Sequence, residues 1–567
     1  MTETLKAESH QLRGTILDEL ASHDAAFTAD AGQLLKFHGI YQQDDRDVRR
    51  ERTQAKETLA YSCMVRCSVP GGVLSVDQWL AIDDLADTFA DGALRLTSRQ
   101  GVQYHFVHKG NLQSLIRDLS DGLVSTYAAC GDVVRNVMAT TAPVEGVDHQ
   151  RIEALAAGID ARFTPQSAAY WELWIDGEKA VTARPTPEAS EEPIYGASYL
   201  PRKFKIGIAW PRDNSIDLYS QDCGIVPLER VDAAGLPVAG AMILAGGGLG
   251  RSHNNPDTFP HLAQPLGWVP DDRVGDVVEA IVTTFRDHGD RENRKHARLK
   301  YLVAERGIGW LRSEVESRLG HAIADPIELP AWNRSRAELG WHRQADGHWF
   351  IGVPVPGGRL SNTETTGART AVRLCLENYA SEIRLTPQHD LLLCGIDEAH
   401  KEAVENLLIG HGVALREHLS LSVLSSMACP ALPTCGQALG EAERVLPEVT
   451  GLLDGLLIDR GLADVAIETR MTGCPNGCSR PYVAELGIVG RTKTTYDLWL
   501  GGSPDGSRLA AETVEAVPLT KLGDVLGPLL DRYRNERDDE SFGDWANAVG
   551  TEGLRLGLPT FRIPGAS

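Results

Sequence analysis

Four cysteines fall in two close pairs. Cys429 and Cys435 lie in Met427-Ala-Cys-Pro-Ala-Leu-Pro-Thr-Cys435, and Cys474 and Cys478 in Thr472-Gly-Cys-Pro-Asn-Gly-Cys478. Thiolates are soft ligands that bind zinc or an iron–sulfur cluster. Pro430, Pro433, Pro475, Gly473 and Gly477 suit tight loops that hold several sulfurs around one centre. Structural zinc usually takes tighter C-x2-4-C knuckles, so C-x5-C with C-x3-C leans toward a cluster. The alternative is that these cysteines pack as small hydrophobes.

Two cationic stretches offer a second kind of chemistry. From Leu94 to Phe106 parity sorts the side chains. Leu94, Leu96, Val102, Tyr104 and Phe106 share one face, and Arg95, Thr97, Arg99, Gln103 and His105 the other. Such a strand is either half-solvated or a donor-rich wall for carboxylates, which arginine matches bidentately. Lys203 and Lys205 alternate with Phe204 and Ile206, so both amines project from one face. Without an anion to bind, that face would be solvated surface.

The elements that must position these residues come in two copies. Val69-Pro-Gly-Gly72 precedes a helix with a Ser75/Gln78 capping box and Trp79, Ile82, Leu85 and Phe89 at helical spacing. Leu94-Arg-Leu-Thr97 and a helix with Leu112, Leu115, Ile116 and Leu119 follow. The order returns as Val355-Pro-Gly-Gly358, a helix with Val372, Cys375, Leu376 and Tyr379, then Ile383-Arg-Leu-Thr386 and a helix with Val404, Leu407 and Leu408. Two matches in order indicate an internal duplication, whose two β-α-β-α units can pair into one sheet. The segments behind them also echo: Cys223-Gly-Ile-Val226 answers Leu486-Gly-Ile-Val489, and Ile243–Gly247 answers Leu498–Gly502. The expected fold is α+β, an internally duplicated pseudo-twofold multi-domain chain with a cofactor at the domain junction. Its expected divisions are a wrapping segment 1–63, a half-domain 64–127, an α/β domain 128–341, a second half-domain 342–413 and a cysteine-bearing α/β domain 414–567.

The chain has 567 residues, 42% hydrophobic and 24% charged, which suits a soluble multi-domain protein. It shows neither a membrane span nor a secretory leader, so a cytoplasmic place is expected. Ten cysteines are too few for a disulfide scaffold. Cys63, Cys67, Cys130, Cys223, Cys375 and Cys394 are scattered and read mainly as core. A net charge of −22 argues against nucleic acid or an anionic membrane as partner and permits docking to a basic protein face. Gly246-Gly-Gly-Leu-Gly250 follows an apolar strand, but Arg-Ser-His-Asn-Asn-Pro256 is a poor helix start for a dinucleotide loop. Neither NADPH nor flavin is expected on this chain. Asp44–Arg52, dense in charge, reads as self-paired surface.

The cysteine block resembles the signature of the sirohaem sulfite and nitrite reductases. Phe37–Asp47 and Tyr199-Leu-Pro-Arg-Lys-Phe-Lys205 look specifically like the haemoprotein subunit of the NADPH-type sulfite reductases, and the similarity covers nearly the whole chain. The resemblance implies ferredoxin-like half-domains and an N-terminal segment that wraps the core. It implies a [4Fe–4S] cluster on Cys429, Cys435, Cys474 and Cys478, with Cys478 also the axial ligand of a sirohaem. It places Arg95, Arg99, Gln103 and Lys300 against the cofactor's carboxylates, and Arg66, Arg135, Lys203 and Lys205 around the anion. Some relatives join a cysteine to a tyrosine beside the haem, for which Cys130 and Tyr41 are the matching pair. The implied activity is six-electron reduction of sulfite to sulfide. An NADPH-dependent flavoprotein is the first-choice electron donor and ferredoxin the second. The alternatives are reduction of nitrite to ammonia, or a binding protein with a structural zinc site.

Overall fold

The computed structural model describes residues 2–175, 192–231, 234–333 and 338–561. Four five-stranded sheets carry the architecture, in two matched pairs.

The first pair belongs to the repeated units. One sheet runs Ile40–Asp44, Tyr61–Arg66, Val102–Val107, Leu94–Leu96, Arg359–Leu360. The other runs Gly340–Arg343, Trp349–Val353, Leu391–Ile396, Glu382–Leu385, Val73–Ser75. Two sheets therefore stand where one shared sheet was expected. Each unit instead lends the other the short strand that follows its Pro-Gly-Gly turn, with Leu74 opposite Ile383 and Arg359 opposite Arg95. The turns must be glycine. Gly72 and Gly358 both have φ in the left-handed region, +75° and +72°. A Cβ on Gly358 would stand 1.9 Å from the Arg95 guanidinium, and one on Gly72 2.7 Å from the Leu385 carbonyl.

Helix Val76–Phe89 starts on the expected capping box. It buries Trp79, Ile82 and Ala86, while Leu85 and Phe89 pack at the core's edge. Helix Leu112–Asp121 buries all four expected residues. In the second unit, helix Ala368–Asn378 buries Val372, Cys375 and Leu376, and helix Lys401–Gly410 buries Val404 and Leu408.

The parity assigned to Leu94–Phe106 needs correction. Leu94–Leu96 and Val102–Val107 are two strands of a hairpin, with Thr97–Gly101 as its turn. Phe106 sits at φ +58° where the pairing shifts register, so Val107 takes the inward place. Neither face is open to water, since Arg95, Gln103 and His105 are as buried as the apolar side.

The second pair of sheets repeats one topology. Met138–Ala139, Ile206–Ile208 and Cys223–Pro227 run parallel, and Gly240–Ala245 and Gln264–Pro270 continue antiparallel. Ser426–Ala428, Thr469–Thr472 and Leu486–Gly490 run parallel, and Thr495–Leu500 and Ala511–Pro518 continue antiparallel. Helix Val274–His288 covers the first of these domains, burying Val274, Val277, Val278, Ile281, Val282 and Phe285 along one stripe.

One apolar core joins both repeated units to the first α/β domain, whereas the cysteine-bearing domain has its own. A small cluster of Leu249 with Tyr482, Val483, Val489 and Trp499 links them. Much of the remaining junction is polar, and the candidate site lies along it.

Candidate active site

The four cysteines sit on two loops that follow the parallel strands Ser426–Ala428 and Thr469–Thr472. The first loop hangs its Cys435 amide on the Ala431 carbonyl at 2.9 Å. The Gly473 amide donates to the Cys429 sulfur at 3.3 Å, and Thr472 Oγ1 donates to it at 3.4 Å. Cys429, Cys435 and Cys474 feel one another and Cys478 electrostatically. Burial first, then the charge of Cys478, pushes Cys429 up to about 12. The same causes raise Cys435 and Cys474. Such thiols ionise when a cation draws the protons off, as metal binding does. All four donors are thiols, carried on loops spaced more widely than the usual zinc knuckle. The donor set fits a polynuclear centre.

Two contacts missed in the sequence brace these loops. Arg46, from the charged run read as self-paired surface, donates to the carbonyls of Cys435 (3.3 Å) and Gly436 (3.4 Å). Its backbone amide binds Pro433 O at 3.2 Å. Ser98, in the hairpin turn, donates to the Cys478 carbonyl at 2.9 Å, and Arg480 answers by donating to the Ser98 carbonyl at 2.9 Å. Side chains that grip carbonyls nearly 400 positions away leave no local pattern to read.

Beside Asn476 and Gly477 opens a cleft of about 190 Å³. Lys203, Lys205 and Lys295 line it with Arg202, Arg251, Arg294, Arg298 and Arg480, and none of the described lining residues is acidic. Both lysines, in the segment just before strand Ile206–Ile208 rather than within a strand, reach the same cleft. Burial, then Arg202 and Arg298, brings Lys203 down to about 7. Burial and Lys203 depress Lys205 strongly. Asp222 works from behind the cleft: it accepts the Lys205 amide at 2.9 Å and the Arg298 guanidinium at 2.8 and 3.2 Å. Cations crowded together without an acid among them make a ready receptor for a polyanion.

The other cationic residues lie near but differ in freedom. Strand register sets Arg66 opposite Gln103, Gln103 opposite Arg95 and Arg95 opposite Arg359, a row on one face of the sheet. With the Gln103 amide nitrogen toward His105, its oxygen accepts from Arg66 at 2.8 and 2.5 Å. Arg95 is fully engaged, by Glu443 (3.0 Å) and the Leu96 (2.5 Å) and Ala428 (3.0 Å) carbonyls. Lys300 donates to the carbonyls of Gly250 (2.7 Å) and Phe259, and burial brings it down to about 6. Arg99 leaves the hairpin turn to reach Asn136 O (2.6 Å) and Gln221 (2.9 Å), with its Nε unpartnered. Arg66 donates to Cys130 Sγ at 3.1 Å, and Arg135 and Cys130 both act on the buried Tyr41 hydroxyl. Arg135 is also close enough to depress Lys203.

The family model for the nitrite and sulphite reductase 4Fe-4S domain matches residues 158–323. The nitrite/sulfite reductase ferredoxin-like half domain matches twice, at 55–121 and 342–410. A sulfite reductase [ferredoxin] of Synechococcus elongatus is 43% identical over 98% of this chain and 90% of its own. Sulfite reductase [NADPH] hemoprotein beta-components of Staphylococcus saprophyticus and Afipia carboxidovorans are 40% and 42% identical, each over 97% of this chain and 95% and 94% of their own. The chain belongs to the nitrite and sulfite reductase family. It is thereby an oxidoreductase, and its repeated units are ferredoxin-like half-domains. The solved Mycobacterium tuberculosis NirA protein shares the fold, with a TM-score of 0.73 over 97% of this chain and 95% of that one at 23% identity. The 4Fe-4S match falls on the copy that lacks the four cysteines.

The glycine run expected not to bind a dinucleotide continues into turns rather than a helix, and the Arg251 amide binds Pro475 O at 2.8 Å. Among the described residues no helix is long and apolar enough to cross a membrane.

Proposed function

We propose that this chain is the haemoprotein of an assimilatory sulfite reductase, reducing sulfite to sulfide by six electrons. The carrying observation is the acid-free cationic cleft opening beside a four-thiol loop pair. Cys429, Cys435, Cys474 and Cys478 would hold a [4Fe–4S] cluster in this reading, and Cys478 would also hold a sirohaem. Bound there, the two groups store and pass electrons and give the anion a metal to bind.

The chain's own side chains do the rest. Sirohaem carries eight carboxylates, and Arg99, Gln103, Arg95 and Lys300 are assigned to them. Arg99 has a donor to spare. Arg95 and Lys300 reach a carboxylate only by giving up carbonyl partners. Arg202, Arg251 and Arg298 line the same cleft and join the assignment. Arg66, Arg135, Lys203 and Lys205 take the anion and neutralise it, and the two lysines donate protons. Lys203 suits proton donation, since burial and its cationic neighbours place it near neutrality. Fixed positive groups in a recessed site need no reorganisation as charge develops.

Electrons come from a separate protein. An NADPH-dependent flavoprotein is favoured by the hemoprotein beta-component relatives, and ferredoxin is the other donor class among the relatives. The test is steady-state reduction of sulfite and of nitrite by the purified chain with reduced viologen, alongside NADPH alone. Expected are visible absorption, preference for sulfite, and no turnover with NADPH. A preference for nitrite would transfer the assignment to ammonia formation, and a colourless zinc protein would end it.

A further inference from the structure

Helix Thr2–Glu8 buries a lysine. Lys6 is 1% exposed, and its amine donates to the Leu200 carbonyl at 2.8 Å, meets Glu3 at 2.5 Å and lies 3.6 Å from Asp132. Lysine is almost never fully buried unless it is paired, because desolvating the charge is costly. Here every contact leads toward residues 199–205. Glu3 also pairs with Arg291, whose Nη2 donates to the Tyr199 carbonyl at 2.8 Å. Asp132 pairs with Arg294 at 2.9 Å and Arg202 at 3.7 Å, and its carbonyl accepts the Leu200 amide at 3.0 Å. Tyr199 itself holds φ +54°, a conformation a bulky residue keeps only when its surroundings enforce it.

We propose that Lys6 and Glu3 of the N-terminal helix are positioning residues for the anion site, fixing residues 199–205 and with them Arg202 and Lys203. The inference rests on the sulfite-reductase reading for what the site binds. Arg202, Lys203, Arg294 and Arg298 all line the cleft and repel one another. Something must hold the segment that carries two of them. Counter-anions inside the cleft would hold it but would also repel an anionic substrate. Glu3 and Asp132 are not among the cleft's lining residues, so they restrain the cations without neutralising the receiving face. Lys6 cross-links the two anions to the backbone at Leu200.

The test uses Lys6→Met and Glu3→Gln in the full-length, cofactor-loaded protein. Lys6→Met is expected to speed hydrogen exchange at the amides of Leu200, Phe204 and Lys205 by about tenfold or more, as a loosened local unit does. The KM for sulfite is expected to rise roughly tenfold with kcat within about threefold of the parent, the scale of losing a supporting contact. Glu3→Gln, which leaves the Lys6 contacts to Leu200 and Asp132 in place, should move both in the same direction by less. It also serves if Lys6→Met does not accumulate folded. A merely structural helix would lower the melting temperature and leave exchange at 199–205 and the KM at parent values, and that result overturns the proposal. A parent chain that neither binds nor reduces sulfite sinks the functional reading, and the exchange measurement then decides the positioning role by itself.

Discussion

Asp217 and Arg480 hold the same place in the two α/β domains and are each other's ion-pair partner. Each has left-handed backbone, at φ +48° and +58°, and each caps a short 3-10 turn, Leu218–Ser220 and Pro481–Val483. The matched strands Cys223–Pro227 and Leu486–Gly490 begin six residues later in both copies. Arg470 joins the same carboxylate at 2.5 Å, and Arg480 also grips the Ser98 and Pro387 carbonyls. One charge pair on the pseudo-twofold axis thus ties the two α/β domains and both half-domains together.

Removing that carboxylate takes a counter-anion from two buried guanidiniums. Asp217→Asn is expected to cost about 3–5 kcal/mol in denaturant unfolding, the scale for breaking a buried pair from one side. Burial opposes the charge on Asp217, but Arg470 and Arg480 hold its carboxyl below the usual range. Its contribution is therefore full above about pH 4 and lost only as pH falls through the lower folded value. A parent and variant with matching midpoints at pH 7 would contradict this.

The proposed reading gives the bridging role to one thiol. Cys478→Ser should abolish sulfite reduction and the electronic coupling between cluster and haem together. Cys375→Ser, buried in the core of a half-domain, should keep both. Visible and EPR spectra of the two variants decide it, and an unchanged Cys478→Ser spectrum removes the assignment.

Anion handling separates charge from proton delivery. Lys205→Ala and Arg135→Ala should each lower sulfite turnover by about 10²–10³ with cofactor content retained, the usual effect of deleting one fixed donor. Lys205→Arg should restore sulfite affinity better than turnover, since arginine stays charged and is a poor acid. Parent rates in both alanine variants, with full cofactor loading, would show that the anion binds elsewhere.

Asp390 carries a pH-dependent cost. Burial pushes its carboxyl up to about 7, and it accepts the Val355 amide at 2.9 Å. Between about pH 4 and 7 the folded chain keeps a proton that the unfolded chain has lost, so stability falls as pH rises across that window. Asn keeps the acceptor without the charge. Asp390→Asn should be more stable than the parent above pH 7 by about 1–2 kcal/mol, less than the full shift because the Asp390 side chain keeps some contact with water. The gap should close toward pH 4, measured by urea midpoints.

What the sequence disclosed was whatever repeats or alternates locally. The helix face of Leu112, Leu115, Ile116 and Leu119, the Ser75/Gln78 box and the paired projection of Lys203 and Lys205 all follow from short-range geometry. The hairpin inside Leu94–Phe106 was missed because its turn puts left-handed φ on Gln100, a residue type that does not announce it. The strand exchange was hidden because pairing Leu74 with Ile383 involves no periodicity at all. Nothing in the sequence singles out Asp132 or Asp222, and only burial among arginines shows them to be anchors. Arg46 was misjudged because a charged run carries no sign of which member reaches inward.

The exchanged strands also set a timetable. During synthesis Val73–Ser75 emerges about 300 residues before its partner Glu382–Leu385, which at about 5–20 residues per second is on the order of 15–60 s. For most of that interval the first half-domain waits for Arg359–Leu360 with one sheet edge uncovered. An open edge of that kind is an invitation to pair with a neighbouring nascent chain. The duplication has therefore made the early product of translation dependent on the late one for the last strand of its sheet.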